Sequence, residues 1–363
     1  MTLVTESGPR PAIPAAPPPA AAPSEDRHPA VTAVPAVRPT SMAEALNRAL
    51  VHAMASDDSV VVFGEDVGRL GGVFRITDGL QSAFGAERCF DTPLAESAIV
   101  GMAVGMAMNG FRPVVEMQFD AFALPAFEQV VGHVAKMRNR THGRLPLPMV
   151  IRVPYGGGIG GVEHHSDSSE SYYAHTAGLT VVAPATVADA YSLLRDAIDH
   201  PDPVVFLEPK RLYWSREDAA LPARTEPIGT AVVRRAGQDA TLIAYGPSVP
   251  VALAAAEAAA EEGRDLEVVD LRSVAPFDEE TVVECVRRTG RAVVVAEASG
   301  FASVSSEIAA RVTERCFHHL HAPVGRVTGL HIPYPPPKLE SHHLPDVDRI
   351  LDAVDALQWE DGA

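Results

Sequence analysis

The sequence predicts two consecutive α/β domains, each built on a mostly parallel sheet with helices on both faces. Three observations carry this reading. Short runs of consecutive aliphatic residues recur along the chain, such as Val60-Val61-Val62-Phe63, and read as strands buried on both faces. Stretches of helical length separate them. The alternation stops in a polar, irregular segment around Lys210–Thr230, which contains Pro222 and Pro227, and then restarts.

The elements follow in chain order. Residues 1–39 hold 10 of the 31 prolines, too many for helix or sheet hydrogen bonding, and read as a disordered Pro/Ala-rich arm. No leucine-rich apolar stretch follows a basic start, so a secretory signal is not expected, and Glu6, Glu25 and Asp26 disfavour a transit peptide. The first domain is placed at 40–212. Ser41 is positioned to cap a helix carrying Met42, Ala45, Leu46, Ala49, Leu50 and Ala53 on one side. Strands are predicted at Ser59–Gly64, Val114–Phe119, Pro148–Pro154, Thr180–Ala183 and Val204–Glu208, with helices near 93–109, 125–141 and 186–199. A linker is placed at 213–229 and a second domain at 230–363. There the predicted order is strand Ala240–Gly246, helix 249–262, strand Leu266–Leu271, helix 278–289, strand Arg291–Ala296 and a helix beginning near Phe301. Five prolines in 333–345 imply a surface wrap before a last helix, Asp348–Leu357.

Composition limits the partners. With 30 Lys+Arg against 47 Asp+Glu, the formal net charge of −17 repels phosphate backbones, so no nucleic-acid partner is expected. The longest strongly apolar run, Ala98–Met108, has 11 residues, too few to span a bilayer, and no membrane partner is expected. Cys89, Cys285 and Cys316 are widely separated and lack metal-ligand spacing, which fits a reducing, cytoplasmic setting.

Several local patterns carry possible chemistry. In Asp91-Thr92-Pro93-Leu94-Ala95-Glu96, Thr92-Pro93 reads as a helix start, with Pro at its first position. Glu96 would then sit near the helix N-terminus, either stabilising it or offering a carboxylate to a protonatable ligand nitrogen. The Gly101/Gly105 spacing suggests close packing, between subunits or domains or within one core. Gln118 and Phe122 lie where a parallel strand gives way to its connection, the ligand side of such sheets, as do Glu65 and Asp66 after Gly64, each of which could equally serve a helix cap or a loop hydrogen bond. Gln118 suits the edge of a planar heterocycle and Phe122 its face, with core packing the alternative for Phe122. Gly156-Gly157-Gly158-Ile159-Gly160-Gly161 formally matches G-x-G-x-x-G. Without a following helix it reads better as a flexible or closely packed loop that delivers His164 and His165 to the strand end. An imidazole there suits proton transfer near neutral pH.

In their order and separation, these motifs resemble the beta subunit of the thiamine-diphosphate-dependent 2-oxo acid dehydrogenase component, from about Ser41 to the end. The matching segments are Phe63-Gly64-Glu65-Asp66-Val67, Gly71-Gly72-Val73-Phe74-Arg75, Asp91–Glu96, Met117-Gln118-Phe119, Pro125-Ala126-Phe127-Glu128-Gln129 and the glycine loop ending in His165-Ser166. The resemblance implies a pyrimidine-binding thiamine-diphosphate domain followed by a transketolase C-terminal-like α/β domain. It implies that Glu96 binds N1′ of the aminopyrimidine, with Glu65, Leu94, Gln118 and Phe122 around the cofactor. It also implies that His165 serves acyl transfer onto the lipoyl dithiolane. No metal ligand is expected in this chain. It has no Gly-Asp-Gly motif followed by an asparagine-bearing segment, so Mg²⁺ and the diphosphate are expected mainly on an alpha subunit, in an α₂β₂ heterotetramer. Further expected partners are a 2-oxo acid and a lipoyl-bearing acyltransferase core, bound through its peripheral subunit-binding domain. Gly72–Thr77 looks most like branched-chain members, with pyruvate and acetoin types as alternatives. An acidic non-enzymatic scaffold and a self-contained transketolase-like catalyst are the other readings. One departure stands out: Ser166-Asp167-Ser168-Ser169-Glu170 replaces the family's Ser-Gln-Ser-Pro-Glu.

Overall fold

A strand flanked by helices on both faces can be aliphatic throughout, and the predicted aliphatic runs take that place. The computed structural model describes residues 37–357; the predicted arm lies outside these residues except for its last three positions. Of those three, Arg38 and Pro39 correct the predicted boundary. Strand β1 (Arg38–Ser41) pairs antiparallel with a strand at Arg216–Ala219, inside the predicted linker. In a two-stranded ribbon every strand is an edge, so Pro39 costs no ladder.

Ser41 caps the helix Met42–Ser56 reciprocally. Its hydroxyl accepts from the Glu44 N–H at 3.2 Å, and the Glu44 carboxylate accepts from the Ser41 N–H at 2.8 Å. Next come β2 (Val60–Gly64), β3 (Cys89–Asp91), β4 (Arg112–Glu116), β5 (Val150–Tyr155), β6 (Thr180–Val182), β7 (Val204–Pro209) and β8 (Arg216–Ala219). Strands β2 to β7 make a parallel sheet, ordered β6-β7-β5-β4-β2-β3. The later strands are β9 (Val232–Arg235), β10 (Ala240–Ala244), β11 (Leu266–Asp270), β12 (Ser273–Ala275), β13 (Ala292–Ser299) and β14 (Gly325–Gly329). Four of them join β9 in a second sheet, β14-β13-β10-β11-β9. β12 instead crosses to the first sheet and pairs antiparallel with β6. Arg272 anchors this crossing. It is fully buried, bonds Asp189 through Nε at 2.9 Å and caps the Thr230 carbonyl at 2.9 Å.

Two predicted helices change. The stretch 125–141 breaks into a 3₁₀ turn (Ala121–Ala126) and the short helices Phe127–Gly132 and Met137–Arg140, with His133 outside helical geometry between them. The break falls at His133, whose φ of −123° and ψ of −59° leave helical geometry. The helix near 93–109 runs from Glu96 to Met108. A continuous apolar core links the sheets, from Val61 and Ile151 to Ile243 and Val294. Among the described residues, no helix is long and apolar enough to cross a membrane.

Candidate active site

Parallel strands β2, β4 and β5 open at the same end of the sheet, where their connections leave backbone and side chains free for a ligand. Glu65 and Asp66 leave β2 there, Met117 to Phe119 leave β4, and the glycine loop leaves β5. Glu96 meets them as the first residue of its helix, where unpaired N–H groups favour a negative charge. This corrects the predicted helix start at Thr92-Pro93. The Thr92 N–H donates to the Gly64 carbonyl at 2.9 Å, prolonging the β2–β3 pairing, so the chain stays out of helical geometry through Ala95.

Glu65 is buried, and neither carboxylate oxygen has a partner among the described residues. Burial, then the negative charges of Glu96 and Asp66, push its carboxyl up to about 7. The Gln118 amide donates to Asp66 at 2.9 Å. Alongside lies an aromatic group: the His165 ring meets Phe119 edge-on at 4.0 Å and Phe122 at 5.4 Å, while Phe122 stacks on His164 at 6.0 Å. His165 Nδ1 is buried without a partner among the described residues. Burial, then the charges of His164 and Lys210, lowers the imidazole's pKa.

The structure thus brings Glu65, Glu96, Gln118, Phe122 and His165 to one end of the sheet. It leaves Leu94 76% exposed. Gly105 corrects one alternative: a Cβ there would meet nothing within 4 Å, so packing within this chain does not require the glycine.

Sequence reasoning missed two supporting groups. Arg152 is fully buried between Glu116 at 2.6 Å and Glu208, which it grips through Nε at 2.6 Å and Nη2 at 2.9 Å. The Tyr213 hydroxyl also donates to Glu208 at 2.6 Å. Charged residues within aliphatic strands were the available signal. The second group is Asp120, which accepts from the Ser169 N–H at 3.0 Å and from its hydroxyl. Proline has neither donor, so these two bonds depend on serine at 169.

The donor set fits an aminopyrimidine. Two neighbouring carboxylates, one without any partner, need a protonated or amino-bearing ring edge, and Phe122 supplies a face.

Comparison with known proteins follows the same division. A model of the transketolase pyrimidine-binding domain matches residues 38–215, and one of the transketolase C-terminal domain matches 229–350. A pyruvate dehydrogenase E1 component subunit beta of Leifsonia xyli is 54% identical over 88% of this chain and 95% of its own length. A 3-methyl-2-oxobutanoate dehydrogenase subunit beta of Mycobacterium tuberculosis is also 54% identical, over 87% of this chain and 91% of its own length. A solved split-gene transketolase has a TM-score of 0.72 at 24% identity, covering 87% of this chain and 97% of that one, and shows the same fold. The architecture is therefore a thiamine-type pyrimidine-binding domain followed by a transketolase C-terminal-like domain.

Proposed function

This chain belongs to the family of beta subunits of 2-oxo acid dehydrogenases, and from that premise we propose that it serves oxidative decarboxylation of branched-chain 2-oxo acids, coupled to acylation of a lipoyl group. The carrying observation is the unpartnered Glu65 carboxylate beside Glu96 at the open end of the sheet. Thiamine diphosphate, when bound, supplies the electron sink that lets a 2-oxo acid lose carbon dioxide. Glu96 holds the proton at ring nitrogen N1′ through a carboxylate hydrogen bond. Glu65, whose carboxyl is pushed up to about 7 by burial and then by Glu96 and Asp66, accepts a hydrogen bond from the amino-bearing ring edge. Gln118 orients the same edge through its tie to Asp66, and Phe122 packs against the flat face. Exposed Leu94 completes the pocket only once another subunit covers it. His165 exchanges a proton at the lipoyl sulfur, and its lowered pKa makes its protonated form the stronger acid.

The rest of the assembly follows from the same reading. An alpha subunit holds Mg²⁺ and the diphosphate in an α₂β₂ heterotetramer, and a lipoyl-bearing acyltransferase core docks on the second domain. The three cysteines are free and buried, which agrees with a cytoplasmic setting. Substrate choice rests on the resemblance of Gly72–Thr77 to branched-chain members; pyruvate is the second reading, because a pyruvate-type relative is equally similar.

Co-expression with the alpha subunit, followed by turnover on branched-chain 2-oxo acids and pyruvate, tests the assignment. The highest kcat/KM is expected on a branched-chain acid. A higher value on pyruvate reassigns the substrate, and full activity of this chain alone overturns dependence on an alpha subunit.

A further inference from the structure

The segment from Gly156 to Gly161 carries His165 to the site, yet it belongs to no strand or helix of its own. Its first amides are each taken by a specific acceptor. The Gly156 N–H donates to the Asp167 carbonyl at 2.7 Å, closing the loop on itself. The next two leave the first domain: Gly157 N–H donates to Glu297 Oε1, and Gly158 N–H donates to Glu340 Oε1 at 2.7 Å. Glu297 is buried near the end of β13, with Arg211 at 3.4 Å from its other oxygen. Glu340 begins the short helix Glu340–His343 and accepts from the Tyr334 hydroxyl at 2.6 Å. Hydrogen bonds from amides to ionised carboxylates are about twice as strong as neutral ones.

The glycines fit this clamp closely. Gly156 and Gly158 have φ of +78° and +81°, a region that favours glycine. A Cβ on Gly157 would lie 1.7 Å from the Tyr334 hydroxyl, and one on Gly158 would lie 2.8 Å from the Arg211 side chain. The second domain therefore grips the loop by its backbone at the point where side chains would hold it off.

We propose that Glu297 and Glu340 are positioning residues that fix the loop, and through it His165 against Phe119, for the lipoyl step. This rests on the reading of His165 given above. The carboxylate pair for decarboxylation sits on other elements, after β2 and at the head of the 96–108 helix. Loosening the clamp therefore separates the two half-reactions.

The test uses the full chain assembled with its alpha subunit. Glu340→Ala is expected to slow acylation of a lipoyl domain roughly 10–100-fold. Decarboxylation read with an artificial electron acceptor changes less than about twofold, because the reacting groups there keep their geometry. Amide hydrogen exchange across 156–161 speeds up, and Glu340→Gln, which keeps an acceptor oxygen, recovers most of the lost rate. Tyr334→Phe leaves Glu340 without its anchor and gives the same split at roughly 3–10-fold; it decides the matter if Glu340→Ala does not assemble. Equal losses in both assays, or unchanged exchange at 156–161, overturn the clamp. His165→Ala is the reference. If it splits the two assays while the Glu340 and Tyr334 variants do not, the clamp alone is wrong. If it produces no split, the role of His165 falls and the clamp with it.

Discussion

Glu65 and Glu116 lie one step apart on neighbouring parallel strands, since Gly64 of β2 is opposite Glu116 of β4. Both are buried, and burial pushes both carboxyls up. They differ in company. Beside Glu116 the Arg152 guanidinium pulls the carboxyl back toward its charged form, and Glu208 completes a closed network. Beside Glu65 the negative charges of Glu96 and Asp66 push the same way as burial, and among the described residues both its oxygens lack partners. A buried acid held by a buried cation supports the sheet. One left unpaired marks where a ligand's donors are to arrive.

The comparison breaks most sharply at Arg152. Arg152→Met strands two buried carboxylates and is expected to cost about 3–5 kcal/mol in chemical denaturation; a loss under 1 kcal/mol would show that the network is not the floor of the site. Glu65→Gln should act in the opposite sense. Because the folded-state pKa of Glu65 is raised to about 7, its native form binds more protons than the unfolded chain, and its contribution falls as pH rises from the ordinary carboxylate range through 7. At pH 8 the substitution removes a buried charge and should stabilise the ligand-free chain by about 1–3 kcal/mol. The smallest effect comes near pH 3, where Glu65 is protonated in both states and Gln should change little. A stabilisation independent of pH would break the contrast with Glu116.

Local patterns made the first domain readable where local physics decides. Ser41 and Glu44 are three residues apart, so the capped helix at 42–56 needs nothing distant. Val60–Phe63 is apolar throughout because both faces of β2 are covered. Thr92-Pro93 misled because a backbone bond to Gly64, 28 positions earlier, outweighs a local helix signal. Likewise β12 and Arg152 owe their places to partners 36 to 94 positions away, which spacing alone does not register. In the site, Glu96 and His165 stood out through the order of several motifs taken together. Asp120, Glu297 and Glu340 did not, because each matters for a backbone N–H it accepts from a distant loop.

The central claim is that Glu96 of this chain works on the aminopyrimidine, and turnover of Glu96→Gln in the assembled enzyme tests it most directly. Gln keeps the size and a hydrogen-bonding oxygen but cannot hold the proton. Decarboxylation should fall about 10²–10⁴-fold while the heterotetramer still forms. Near-normal turnover in an intact assembly would contradict the account.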